Sequence, residues 1–265
     1  MSPISISDFR FMWRGKHVEV LKNEHANLLD NIAIHTGKKE RALLLLHGFS
    51  SSPAVFRALV PSLPNYDTIV CPSLPGHAQN LLAFSQSTYQ DWIKASEEFC
   101  EKLTKEYKKV DVLGLSLGGV LACHLSEQFA LNHLYLLAPA LALRININLA
   151  LKLTTMLKGL GLRYVRNRAG NLRSNTYKEL AYRQLPLNSI MQILKLIKSF
   201  NYEQPKCPTD LFLGALDEVV DSQKVASLFK DNPQVKIHWL YESAHVLPLD
   251  GELDAIIKTV QENFS

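Results

Sequence analysis

Six short apolar runs punctuate the chain, at residues 42–46, 67–71, 110–115, 134–138, 209–214 and 235–241. They are apolar at nearly every position rather than at alternate ones. They therefore predict strands buried on both faces, as in a mainly parallel sheet. Between them the apolar spacing turns helical. Ser52 followed by Pro53 reads as an N-cap and first helical residue for a helix over 53–62. Thr88 with Asp91 three places on resembles a capping box opening a helix over 88–107, in which Trp92, Phe99, Leu103 and Tyr107 fall near one face. A further helical stretch covers 120–130. Strands alternating with helices in this way predict an α/β fold with a doubly wound, mainly parallel central sheet flanked by helices.

At the front, 5–13 and 17–21 flank Arg14-Gly15-Lys16 and read as a hairpin leading into that sheet. The alternation stops after Pro139. From 141 to 204 no good strand is evident, and helical patterns occupy 147–160, 176–185 and 187–200. The last has Ile190, Ile193, Leu194 and Ile197 on one face. Strand rhythm resumes at Thr209. The expected division is a core made of 1–140 and 207–265 with a helical cap, 141–206, inserted into it.

Length and composition fit this division. A chain of 265 residues, 47% hydrophobic, can form one large α/β domain with an insertion and would be cramped as two unrelated domains. The formal charge of +4 points to neither nucleic acid nor membrane by itself, but it is unevenly spread. Residues 141–204 hold eleven basic side chains against Glu179 and Glu203, a net +9 that leaves the remainder at −5. Cys71, Cys100, Cys123 and Cys207 form no CxxC pair and no Cys/His cluster, which favours a reducing compartment over disulfides or metal. The first residues lack the apolar stretch of a secretory signal, and no run reaches the roughly 18 apolar residues of a membrane span. A soluble cytoplasmic protein is expected.

The chemistry concentrates in Gly114-Leu115-Ser116-Leu117-Gly118, a G-x-S-x-G turn with a strand before it and a helix after it. Such a turn forces the serine into a strained conformation with its hydroxyl above the sheet. Alone, the pentapeptide is also compatible with a glycine-rich turn carrying an incidental serine. A serine hydroxyl is a weak nucleophile that needs a base beside it and an acid orienting that base. Asp217 follows the run 209–214 and His245 follows 235–241, both at strand ends and in the chain order Ser, acid, His. Glu218 is a weaker rival acid, and Asp221 is better explained as the N-cap of a helix over 222–229. Charge developing on an attacked carbonyl would need backbone donors, for which Leu117 N–H and, from His47-Gly48-Phe49, Phe49 N–H are the candidates. His47 and His77 read as structural; His17, His25, His35, His124, His133 and His238 read as surface or packing residues.

The segments LLLLHGFSSSPAVF, PSLPGH, VDVLGLSLGGVLACHL, LFLGALDEVVD and YESAHVLPLD, taken together, resemble the α/β-hydrolase superfamily, and most of all its bacterial carboxylesterase and monoacylglycerol lipase group. The resemblance spans roughly 41–139 and 207 to the C-terminus. It implies Ser116 as nucleophile, Asp217 as acid, His245 as base, and the Phe49 and Leu117 amides as oxyanion hole. It further implies two-step hydrolysis of carboxylic esters with short- to medium-chain acyl groups, monoacylglycerols among them, without metal or organic cofactor. Ala78 stands where a second glycine is common in P-G-H-G, and the first 40 residues and the cap match no family motif. Leu149, Leu153, Met156 and Leu157 of the cap are candidates to line an acyl pocket or, equally, to pack the cap on the core. An acyl thioesterase or acyltransferase uses the same triad, as does a carbon-carbon bond hydrolase. The basic cap could steer an anionic acyl carrier or an anionic lipid surface toward the site. A binding module on a dead hydrolase frame would have lost a triad member, and none is lost.

Overall fold

In the computed structural model, which describes residues 4–264, the chain opens with strands β1 (Phe9–Trp13) and β2 (Lys16–Val20), then β3 (Ile32–His35), β4 (Arg41–Leu46) and β5 (Thr68–Cys71). Helices α1 (Leu81–Gln86) and α2 (Tyr89–Glu106) lead to β6 (Lys109–Leu115), α3 (Leu117–Gln128) and β7 (His133–Leu137). Next come α4 (Ile147–Gly159), β8 (Tyr164–Arg166), β9 (Glu179–Tyr182), β10 (Gln184–Pro186) and α5 (Leu187–Ser199). The chain closes with β11 (Thr209–Gly214), α6 (Ser222–Phe229), β12 (Val235–Leu240) and α7 (Leu253–Phe264).

Seven strands form the central sheet in the order β12-β11-β7-β6-β4-β5-β3, parallel throughout except for β3, which runs antiparallel to β5 at the edge. The continuous apolar runs have the cause expected of them. Alternate residues of one strand enter opposite cores: Leu44 and Leu46 pack with α2 and α3 side chains such as Trp92 and Leu121. Leu43 and Leu45 pack on the other face with Ile256 and Val260 of α7. The α2 start is the capping box that the sequence suggests: Thr88 Oγ1 accepts the Asp91 N–H, and the Asp91 carboxylate accepts the Thr88 N–H. His133, Asp210 and His238 sit on the adjacent strands β7, β11 and β12. The imidazoles meet the buried Asp210 carboxylate at 2.8 and 2.5 Å, so both histidines are packing residues.

Four expectations need correction. The N-terminal hairpin does not enter the central sheet; β1 lies between β2 and β9 in a separate three-stranded sheet, with Phe9 opposite Tyr182. The segment 176–185 is therefore not a helix. Its side chains from Glu179 to Tyr182 are all buried, and pairing with β1 makes 179–182 a strand, although nothing in the local sequence reveals that distant partner. Residues 53–62 form two short 3₁₀ turns, Pro53–Phe56 and Val60–Ser62, rather than one α-helix, since Pro61 has no N–H to continue an α ladder. Finally, 141–206 is not helical throughout: β8, β9 and β10 lie within it, strands of only three or four residues, too short to show the apolar run by which the central strands are read. Strand β3, mostly exposed along its length, lacks that run too and carries no strand signal.

None of α4, β8, β9, β10 and α5 contributes to the central sheet. Among the described residues no helix is long and apolar enough to cross a membrane.

Candidate active site

Strand β6 ends at Leu115, and the next residue, Ser116, takes φ 55° and ψ −110° before α3 begins at Leu117. This is left-handed, strained backbone for a residue with a side chain, and it is held from both sides. Ser116 N–H donates to Leu137 O at 3.0 Å, and Ser116 O accepts from the N–H groups of Gly119 and Ala140 at 3.0 and 3.1 Å. The glycines are required by close approach: a Cβ on Gly118 would collide with the Leu46 carbonyl, and one on Gly114 with the Gly118 carbonyl.

Asp217 and His245 come from the loops after β11 and β12, neighbours at one end of the sheet order. His245 Nδ1–H donates to Asp217 Oδ2 at 2.7 Å, while the other carboxylate oxygen accepts the N–H groups of Val219 and Val220 at 2.7 and 2.8 Å. Burial would raise the Asp217 pKa, but the charge and hydrogen bond of His245 and the two amides outweigh it and hold the carboxyl below its ordinary value. For His245 burial opposes protonation, yet the Asp217 charge and hydrogen bond, with Glu179 nearby, leave the imidazole pKa raised. The rival acids lie elsewhere. Glu218 pairs with Arg173 at 2.8 Å, and Asp221 accepts the Lys224 N–H at 3.2 Å as the cap of α6.

Ser116, His245, Phe49 and Glu179 line one cavity of about 370 Å³, roofed by residues 166–171 and Leu185. A Cβ built on Gly48 would lie 3.5 Å from Ser116 Cβ, so the loop 47–49 runs directly beside the serine. Neither Phe49 N–H nor Leu117 N–H donates to another backbone carbonyl among the described residues. That loop is held by His47, whose Nε2 accepts the Leu74 N–H at 3.1 Å and whose Nδ1 faces Gly48 O. Burial pushes this imidazole down to about 4, against the opposing hydrogen bond to Gly48, so it stays neutral and able to accept. His77, fully buried beside Phe49, Phe84 and Trp92, packs behind the same loop. Ala78 takes φ 52°, which accounts for glycine being the common residue there.

Among the pocket residues that the sequence does not mark, two polar side chains stand out. Glu179 is 6% exposed, and its Oε2 accepts the Gly170 N–H at 2.6 Å. Burial raises its carboxyl pKa despite the opposing pull of that amide and of His245. Its signal was faint: it is one of two acids in a basic stretch. Asn171 enters from the same roof and carries no motif at all. In contrast, Leu149, Leu153 and Met156 are not brought to this cavity. They are 65, 49 and 55% exposed on the outer face of α4, and the half-buried Leu157 does not line it either. Helix α4 is apolar on more than one face, and the side bearing Ile147, Leu151 and Thr154 turns inward instead. Among the described residues no group of three or more His, Cys, Asp or Glu is placed to hold a metal ion.

The family model described as "Alpha/beta hydrolase family" matches residues 43–257. The chain is 28% identical over 233 residues to a thermostable monoacylglycerol lipase of Bacillus sp. (strain H-257), covering 84% of this chain and 90% of that one. It is 26% identical over 235 residues to a carboxylesterase of Bacillus subtilis (strain 168), covering 84% and 92%. Among solved structures, one from work on the metagenome-derived lipolytic enzymes LipS and LipT superposes with a TM-score of 0.75 at 21% identity, over 87% of this chain and 95% of that one.

Proposed function

Because the chain belongs to the alpha/beta hydrolase family, and its relatives include esterases and lipases, we propose that it is a serine carboxylesterase. Its substrates in this reading are carboxylic esters with short- to medium-chain acyl groups, monoacylglycerols among them. The observation that carries the reading is the Asp217–His245 pair opening into the same cavity as Ser116, which sits on a strained turn.

In the proposed reaction Ser116 Oγ attacks the ester carbonyl carbon as its proton passes to His245 Nε2. The carbonyl oxygen becomes an oxyanion facing the Phe49 and Leu117 amides. Asp217 keeps the proton on His245 Nδ1 and stabilises the imidazolium without itself taking the proton. The tetrahedral species collapses, the alcohol leaves with the proton from His245, and an acyl-serine remains. Water then gives a proton to His245 and attacks the acyl carbon; collapse releases the carboxylic acid and returns the proton to Ser116. The exposed row of Leu149, Leu153, Met156 and Leu160 on and just after α4 is, in this reading, the surface that meets aggregated lipid.

The test is the hydrolysis rate of p-nitrophenyl esters of increasing acyl length, with Ser116→Ala beside the wild type. Loss of the nucleophile should lower turnover on the order of a million-fold. A length optimum in the wild type sizes the acyl site. Equal rates in both proteins, or no turnover together with no labelling of Ser116 by a fluorophosphonate, would sink the reading.

A further inference from the structure

Two features have no part in that chemistry: the N-terminal hairpin and the basic charge of 141–204. The structure joins them at one place. The hairpin tip docks on the cavity roof, where Arg14 N–H donates to Gly170 O at 2.6 Å and Gly15 N–H to Ala169 O at 3.0 Å. The Trp13 indole N–H donates to Ser174 O at 2.9 Å. Both tip residues have positive φ, 48° and 72°, as a tight two-residue turn requires.

This docking brings Arg14 together with Arg168 and Arg173 around a hollow of about 390 Å³. The hollow shares Arg168, Asn171 and Val219 with the Ser116 cavity, so the two are contiguous, and Arg166 lines the Ser116 cavity as well. Arg173 is paired with Glu218. Arg14, Arg166 and Arg168 have no carboxylate ion-pair partner among the described residues, and Arg14 lies 5.4 Å from the Trp13 ring centroid.

Like charges drawn to one rim repel, and the fold nevertheless fastens them there from segments about 150 residues apart. A bound anion offsets that repulsion, and guanidinium forks match the oxygens of a phosphate bidentately. Several unpaired guanidiniums suit a dianion better than a single carboxylate.

We propose that this arginine rim binds a phosphate group on the alcohol part of the substrate, so that the preferred substrates are carboxylic esters of phosphorylated alcohols. The proposal rests on the serine esterase reading. The phosphate can belong to a soluble phosphorylated alcohol or to the headgroup of a lipid, and the same chemistry recognises both.

The experiment compares kcat/KM for 1-butanoylglycerol 3-phosphate with that for 1-butanoylglycerol, in wild type and in Arg14→Gln/Arg168→Gln. The readout is the ratio of the two values, which cancels any general loss in the variant. The wild-type ratio should favour the phosphorylated ester by about tenfold or more and fall toward one in the double variant. It should also shrink as salt is raised. Repeating the pair with dodecanoyl chains separates the sources: preference at both chain lengths assigns a soluble alcohol, and preference at the longer length alone assigns a lipid headgroup. Equal kcat/KM for the two esters in the wild type, or a preference that survives both substitutions, overturns the proposal. Failure of the underlying reading is recognised separately, as absence of p-nitrophenyl ester turnover. In that case glycerol 3-phosphate should still raise the wild-type melting temperature and not the variant's, and no wild-type shift overturns the rim.

Discussion

The main-chain carbonyl of Asn171 accepts the His245 N–H at 2.9 Å, and its side-chain oxygen accepts the Glu218 N–H at 3.1 Å. A single residue of the roof thus ties the loop carrying His245 to the loop carrying Asp217.

Replacing Asn171 with Ala removes the bond to Glu218 and leaves the carbonyl in place. A hydrogen bond of this kind contributes about 1 kcal/mol net, so the melting temperature should fall by about 2–4 °C. With the acid loop loosened, kcat should fall several-fold while KM changes little. Asn171→Asp retains an acceptor and should recover most of the loss. Unchanged kcat and melting temperature in Asn171→Ala would show the tie to be idle.

Asp217 and Asp221 stand four residues apart and should respond oppositely. Asp217→Asn loses the carboxylate that fixes the His245 tautomer, a loss of about 10⁴-fold in kcat in triads of this kind. Asp221→Ala removes the N-cap of α6, costing about 1 kcal/mol of stability and leaving kcat unchanged. Steady-state kinetics and thermal melts on both variants separate chemistry from stability.

The pH dependence of rate and of stability should run against each other. His245 has a pKa raised above its ordinary 6.5, so its contribution to stability is complete below that value and is lost as pH rises through the folded-state pKa. Asp217 is lowered from 3.8, so its contribution is present above that value and is lost as pH falls through its folded-state pKa. The proposed mechanism needs neutral His245. For a neutral ester, kcat/KM should therefore rise with pH through an inflection above 6.5. Asp217→Asn should move that inflection down, and an inflection left in place would contradict the pairing.

Gly170 is the joint between hairpin and roof. Its φ is 82°, and an added Cβ would lie 2.6 Å from the Met12 carbonyl. Gly170→Ala combines that clash with left-handed strain, which should destabilise the fold by about 1–3 kcal/mol. It should also reduce ester turnover, because the neighbouring Asn171 carbonyl holds His245. A melt and a kcat measurement on the variant decide both points.

What the sequence made legible follows from how local each signal is. The parallel strands of the central sheet carry apolar runs because both faces are covered. Asp217 and His245 could be paired on paper because each follows such a run in a fixed order. Strand β9 reads as helix in the sequence because Glu-Leu-Ala-Tyr is compatible with either state, and its deciding partner, Phe9–Met12, lies far upstream. Strand β3 is an edge strand with little burial, so it lacks the pattern that marks its neighbours. The orientation of Leu149, Leu153 and Met156 is hidden for a related reason: apolar side chains on several faces of α4 do not say which face turns inward. Glu179 and Asn171 belong to the pocket through tertiary placement alone.

The pairing of β1 with β9 also sets an order of events during synthesis. Tyr182 leaves the ribosome roughly 170 residues after Phe9, a delay of about ten to thirty seconds at ordinary translation rates. Throughout that interval one edge of β1, with the apolar side chains of Phe9 and Met12, has no native strand to pair with. Strand β1 is thus made long before the strand that completes it, and a chain halted between the two leaves that edge unpaired.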